Sequence, residues 1–465
     1  MNRRGSDLER ATGLVPLALT YVCGALLLSW VMIANGFPLL YTDSGTYLRI
    51  GTELHFPVER PITYGLFLLP FHLLFGGAGL WIAAFVQALG TIWLIGCTLR
   101  MVRGRIPLTQ LLLSIAVLAA LTSLPWFTGQ LMPDLFTGLM ALLICLIVFD
   151  RRLSRFENIV FPLLLAGFVA LHLSHVGIAL ALVLVAVPIL RILRQPMRGA
   201  WRAAAGTLGG LLILCSFNLV GAGSFRPSLE SDSFLLARLL DADLAQPSLV
   251  RICRTERLNL CAIVPLVTEP DQKLAGQAYL WSEKSPRSAL ERADVRHHKA
   301  EEARVIDQVI RDDPVAVTRL IFSSVTGQLV TARTGDGLFA HRINMQVGHQ
   351  IKDHFPESLP QWESSRQQTD RLGPLLVVPH DVIALVATLA IPLIYLLALR
   401  RNDKGLVVFT VMVAATLVAN AAVCGILSGV FDRYQNRVVW LPVLLVLTAA
   451  WRYRDWRVRR TSSAL

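Results

Sequence analysis

Two carboxylates and three guanidinium groups stand where this apolar chain turns polar, and they are the residues whose types fit chemistry. Asp43 lies in the run 37–47, about half a dozen residues past the first hydrophobic stretch, and Asp134 lies in the run 131–136, where a later stretch begins. A carboxylate can take a proton from a hydroxyl, and two together can hold a hard divalent cation such as magnesium or manganese. Arg60, Arg433 and Arg437 supply the planar forks that bind oxyanions bidentately. The alternative roles are ordinary: helix N-caps for the two acids, and interfacial anchors or ion pairs with Glu59 or Asp432 for the arginines. His172 and His175, at i and i+3, either line a pocket, bind a metal or form the polar cap of a helical turn. Tyr41, Tyr47 and Tyr64 either stack on ligand rings or populate an aromatic belt.

The elements that must position these groups are membrane helices. The chain has 465 residues, 54% hydrophobic and 16% charged, with a mean hydropathy of +0.54, which excludes an ordinary soluble domain. Stretches long enough to cross a hydrocarbon core of about 30 Å fall at 14–37, 79–99, 108–125, 133–149, 159–173, 177–192, 203–221, 375–399, 405–428 and 438–451, predicting an all-α polytopic protein of about ten transmembrane helices. Basic residues collect on alternate connections: Arg3, Arg4 and Arg10; Arg100, Arg103 and Arg105; Arg151, Arg152 and Arg155; Arg191, Arg194, Arg198 and Arg202; Arg400, Arg401 and Lys404; and Arg452 through Arg460. The short connections between them hold only Arg49, Arg60, Arg433 and Arg437. The positive-inside rule therefore predicts cytoplasmic termini, and the net charge of +12 needs no nucleic acid to explain it.

Charge bookkeeping also assigns two ambiguous segments. Residues 61–75 are apolar, yet a span there would move every later basic cluster across the membrane, so they are read as an interfacial helix in the outer loop 38–78. Residues 159–192 are read as two helices turning near Ser174 and His175. The first span is too long for a cleaved signal and is expected to stay as an anchor.

Residues 222–374 form a long outer loop, large enough for a subdomain of its own. Within it, 288–312 is expected to be an amphipathic helix on Leu290, Ala293, His297, Ala300, Ile306 and Ile310, closed by Pro314. Residues 315–331, with Val317, Leu320, Ile321, Val325 and Leu329 on one face, suit a helix resting on the membrane surface. His297 and His298 are adjacent, so they point apart and make a poor metal pair. Five of the seven cysteines lie in spans. Cys253 and Cys261 share the outer loop, where an oxidising compartment permits a disulfide, with two free thiols as the alternative. Gly206 and Gly210 form a Gly-x-x-x-Gly in a span. Walker, nucleophile-elbow and His-Glu-x-x-His motifs are absent.

The order of features carries a resemblance: an acid soon after span 1, an interfacial helix opening at Arg60 and Pro61, a second acid in the next outer loop, a large outer domain between spans 7 and 8, and an Arg433–Tyr434 segment before the last span. It resembles the GT-C superfamily of integral membrane glycosyltransferases, such as aminoarabinose transferases and protein mannosyltransferases, over the first seven spans and the segment 429–437. The resemblance implies a GT-C fold and transfer of a sugar, with inversion, from a polyprenyl-phosphate donor to a lipid, glycan or protein acceptor. It makes Asp43 the catalytic base and Asp134 a supporting acid that often works with a divalent metal, although no Asp-x-Asp is present. Arg60, Arg433 and Arg437 would clamp the donor phosphate. The domains expected are a catalytic membrane module at 1–221, the periplasmic loop domain at 222–374 and C-terminal membrane helices at 375–465, in a bacterial inner membrane. A transporter or flippase and a non-catalytic scaffold are the competing readings. A transporter would carry ionisable groups at mid-depth, whereas these spans have almost none.

Overall fold

The computed structural model describes residues 3–104, 106–268, 276–282, 285, 287 and 295–462. Arg105, Leu290 and Ala293, which entered the sequence expectations, lie outside the described residues. So does the His297 side chain.

Residues 135–149 decide the architecture. They form a helix, α8 (Leu135–Phe149), in which all fifteen side chains are buried, as expected of a helix that is apolar all round. The preceding helices are α1 (Arg3–Leu28), α2 (Trp30–Asn35), α3 (Ser44–Glu53), α4 (Thr63–Phe75), α5 (Ala78–Arg103), α6 (Leu108–Leu121) and α7 (Leu124–Thr128). After it come α9 (Arg155–Ala170), α10 (Leu173–Ile192) and α11 (Arg198–Ala222). Helices α5, α9, α10 and α11 pack around α8. At 1.5 Å per residue α8 is only about 22 Å long.

Among the described residues there is no β-strand, and five helical stretches are long and apolar enough to cross a membrane: Ala78–Arg103, Leu173–Ile192, Arg198–Ala222, Gly373–Arg400 and Lys404–Leu427. The chain is thus an all-helical protein of membrane type. Several other expected spans are shorter helices. The stretch 14–37 breaks at Ser29 and again at Gly36, whose positive φ of 85° closes α2. The pair at 159–192 turns at Leu171 and His172, slightly before the expected place, because extended His172 accepts the Ser174 N–H and caps α10. The Gly-x-x-x-Gly works as a packing face: a Cβ on Gly206 would come within 2.8 Å of the Pro162 carbonyl, and one on Gly210 within 2.6 Å of that of Ala166, so α11 lies directly on α9.

The long loop divides in two. Helices α12 (Ser231–Asp241), α13 (Ala245–Thr255), α14 (Val264–Thr268), α15 (Gly276–Trp281) and α16 (Val295–Asp312) build a core of their own around Leu236, Leu240, Leu249, Ile263, Tyr279 and Val309. Cys253 and Cys261 are joined within it, their Cα atoms 5.7 Å apart. The buried face of α16 is rotated from the expected one. Ile306 is buried as expected, but Ala300 and Ile310 are exposed, while His298, Glu302, Val305 and Val309 are buried, because Glu302 accepts hydrogen bonds from Ser233 and Tyr279 inside the core. The second part, beyond α17 (Pro314–Val330), folds back over the segment between α2 and α3 and over α3 itself. There Gln367 bonds both the N–H and the carbonyl of Leu40, and α18 (Gln346–His354) packs on α3.

Helix α17 keeps apolar side chains exposed, Ile321, Phe322, Leu329 and Val330 among them, and also packs one edge on protein. Its buried edge is Ser324 and Gln328, set against Gly425 of α22 (Lys404–Leu427). A short α19 (Leu359–Glu363) precedes α20 (His380–Leu389) and α21 (Ile391–Arg400). The chain ends in α23 (Asp432–Asn436) and α24 (Trp440–Ser462).

Candidate functional site

The segments around Leu39 and Gln130 are joined by backbone. Leu39 pairs with Gln130 as an isolated parallel bridge: Leu39 N donates to the Gly129 carbonyl at 2.9 Å and Leu131 N to the Leu39 carbonyl at 3.0 Å. Ser44 adds a side-chain link, accepting from Tyr41 N at 2.9 Å and donating to the Leu131 carbonyl at 3.0 Å. This junction sets Asp43 and Asp134 on either side of one guanidinium. Both acids occupy N-cap positions, Asp43 of α3 and Asp134 of α8, yet neither side chain makes a capping bond. Both turn to arginines instead.

Asp43 Oδ1 accepts from Arg60 Nη2 at 2.5 Å, and Oδ2 faces Arg433 Nη1 at 3.6 Å. Arg433 Nε stands 4.0 Å from Asp134 Oδ1. Its guanidinium lies over the Tyr41 ring, 4.0 Å from the centroid, and 5.2 Å from that of Tyr434. The partners weighed for these arginines in the sequence are not used: Asp432 accepts from Arg333 N at 2.6 Å, and Arg60 pairs with Asp43, not Glu59. Asp43 and Tyr47 outweigh burial and hold the Arg60 guanidinium firmly charged. Burial pushes the Tyr41 phenol up to about 12 against the opposing charge of Arg433, so it is a neutral platform.

Asp134 is fully buried. Its Oδ1 meets Arg437 Nη1 at 3.2 Å, and its Oδ2 has no hydrogen-bond partner. Arg437, also fully buried, is held by Asn420 Oδ1 at 2.9 and 3.1 Å, Ser174 Oγ at 3.0 Å and Cys424 Sγ at 3.0 Å.

Two cavities meet at Asp43. One, of about 440 Å³, is largely apolar and includes Val176, Gly177, Leu235, Val423 and Leu427 with His172. The other, of about 390 Å³, is more polar and includes Tyr41, Thr42, Thr46, Gln277, Gln346 and Trp281. Asp43, Arg60, Phe234, Ser428, Arg433 and Tyr434 belong to both walls, and both volumes are of ligand-pocket size.

The geometry therefore sorts the expected residues. Asp43, Arg60 and Arg433 face open space, as do Tyr41, Tyr47 and His172. Asp134 and Arg437 do not line either cavity; fully buried, they form the support behind Arg433. Tyr64 is buried as well, donating to Gln87 Oε1 at 2.7 Å. His175 is structural: its Nδ1 donates to the Phe168 carbonyl at 2.6 Å, which leaves Nε2 to accept from Thr137 Oγ1 at 2.8 Å. Sequence reasoning missed Trp281, which lies 5.6 Å from Arg60, and Phe234 and Gln346, all from the long loop and without any local signal.

Asp43 and Asp134 are the two carboxylates the sequence offers a divalent cation. Among the described residues no group of three or more His, Cys, Asp or Glu side chains is arranged to hold a metal. The two carboxylates do not face each other, since Arg433 stands between them.

No protein-family model matches this chain, and no curated protein or solved structure is significantly similar to it.

Proposed function

We propose that the protein is a membrane glycosyltransferase of GT-C type. In this reading about ten helices cross a bacterial inner membrane with both termini in the cytoplasm. The enzyme moves a sugar from a polyprenyl-phosphate donor to a lipid, glycan or protein acceptor on the outer side. The observation that carries the reading is the shared wall: one carboxylate and two guanidinium groups stand where an apolar and a polar cavity meet.

The chemistry follows from that wall. The apolar cavity suits the first isoprene units of the donor, and Arg60 and Arg433 suit its phosphate. Asp43 removes the proton of an acceptor hydroxyl arriving through the polar cavity. The hydroxyl oxygen bonds to the anomeric carbon as the bond from that carbon to the phosphate oxygen breaks. The electron pair leaves on polyprenyl phosphate, whose charge the two guanidinium groups neutralise, and the configuration inverts. Asp134 and Arg437 keep Arg433 in place from behind. Without ligand both arginines lie against Asp43, so an arriving phosphate competes for them and releases the base. No step needs a metal. The transport reading is disfavoured because both cavities share one end of the bundle, and α8 beneath them is apolar and buried throughout.

The test is sugar transfer from a panel of radiolabelled polyprenyl-phosphate sugars in membranes carrying wild-type protein or Asp43→Asn at matched levels. Loss of activity with retained binding of undecaprenyl phosphate supports the proposal. Equal transfer by both removes Asp43 as the base.

A further inference from the structure

The far end of α8 holds a second polar cavity, unrelated to the chemistry above. Asp150 follows the last residue of α8, and around it the ends of α5 and α8, the α10–α11 connection and the start of α22 enclose about 230 Å³. Its walls combine Phe149 and Val408 with Asp150, Arg151, Arg152 and Lys404. Asp150 is 6% exposed. One of its oxygens accepts from Arg152 N at 2.9 Å, and the other is buried with no partner. The neighbouring Arg100 is held by Glu157 at 2.5 Å and so does not serve it. Arg151 and Lys404 are exposed and make no ion pair among the described residues.

A buried carboxylate oxygen without a donor is costly, and native structures seldom leave one so. The Arg152 guanidinium donates to the Arg100 carbonyl, but Arg151 and Lys404 leave positive charge at the same cavity, which an anion neutralises. A single ligand answers both demands if it carries a negative phosphodiester for the bases and a hydroxyl donor beside it for Asp150. The cavity lies among the basic clusters at 100–105, 151–155 and 400–404, which the charge pattern puts at the inner rim of a membrane, and this favours a lipid headgroup over a soluble ligand. We infer that this cavity binds the headgroup of an anionic phospholipid whose alcohol bears a free hydroxyl, as in phosphatidylglycerol. The bases engage the phosphate and Asp150 accepts from the headgroup hydroxyl. The inference does not depend on the proposed transferase activity.

The experiment is native mass spectrometry of the full-length protein titrated separately with phosphatidylglycerol, phosphatidylmethanol, phosphatidylcholine and soluble glycerophosphoglycerol. The expected result is one retained phosphatidylglycerol, bound at least about fivefold more tightly than phosphatidylcholine, given that a basic side chain is worth roughly 1 kcal/mol to an anionic headgroup. Phosphatidylmethanol, with the same charge and no hydroxyl, should bind more weakly, and Asp150→Ala should erase that difference. Arg151→Gln with Lys404→Gln changes exposed side chains only, so it leaves the fold intact and should weaken retention about thirtyfold. Equal retention of phosphatidylglycerol and phosphatidylcholine, or no effect of the double variant, overturns the inference. Soluble glycerophosphoglycerol binding as well as the lipid overturns the membrane source.

Discussion

Arg437 and Asp134 oppose each other at 3.2 Å, both fully buried, from positions 303 residues apart in the chain. Such a pair is costly to break and cheap to remove whole, because losing one partner strands a buried charge. Arg437→Leu should destabilise the protein by about 3–5 kcal/mol, and Asp134→Leu combined with it should recover most of that loss. Thermal unfolding of the two single variants and the double variant gives the coupling energy directly. Strictly additive losses would mean that the pair is not a unit.

The division between facing and supporting residues makes a kinetic prediction. Asp43→Asn should lower turnover by about 10²–10⁴ while leaving donor-phosphate binding at least as tight, since Arg60 and Arg433 lose the carboxylate that competes for them. Arg433→Lys keeps the charge but loses the fork, so it should raise the donor KM more than it lowers kcat. A Asp43→Asn variant within tenfold of wild type at saturating donor would end its assignment as the base.

Part of this site was legible in the sequence, for a physical reason. In an apolar chain an acid at a helix start is conspicuous, and so are arginines on the side where arginines are otherwise scarce; Asp43, Arg60 and Arg433 were all visible in that way. What could not be read was depth. Asp134 and Asp43 look alike in sequence, yet one is buried and the other faces two cavities, a difference set by how the helices pack and by the bridge between Leu39 and Gln130. Asn420, Cys424 and Ser174, which hold Arg437, are unremarkable residues until the helices pack. The face of α16 was misjudged for a related reason: the apolar pattern located Ile310, but a buried ionic network chose the face. Cys253 and Cys261 were readable because an outer loop with two cysteines offers few choices.

That disulfide closes a short loop, with a separation of eight residues, and loop-closure entropy of that size is worth about 2–3 kcal/mol. Cys253→Ser should lower the stability of the α12–α16 core by about that amount. Alkylation of intact cells with a membrane-impermeant maleimide, before and after reduction, should label Cys253 and Cys261 only after reduction. Labelling without reductant would place two free thiols there.

Acidification should loosen the same core through Glu302. Burial alone would push its carboxyl up, but His298, Lys299, Ser233 and Tyr279 surround it and hold it down to about 2 against the ordinary 4.5. His298 Nε2 is 3.3 Å away and Lys299 Nζ 3.4 Å, and the two hydroxyls donate at 2.6 and 2.5 Å. A carboxyl that is more acidic in the folded state stabilises it above its unfolded pKa, and that contribution disappears as pH falls through the folded value. Here the window runs from about 4.5 down to about 2, and the contribution is on the order of 3 kcal/mol. Glu302→Gln keeps the shape but donates as well as accepts, so it should be less stable at neutral pH and should show a flatter acid limb over that window. Fluorescence of Trp281, which ends α15 beside this core, follows the transition. Equal acid limbs for wild type and Glu302→Gln would show that another group governs it.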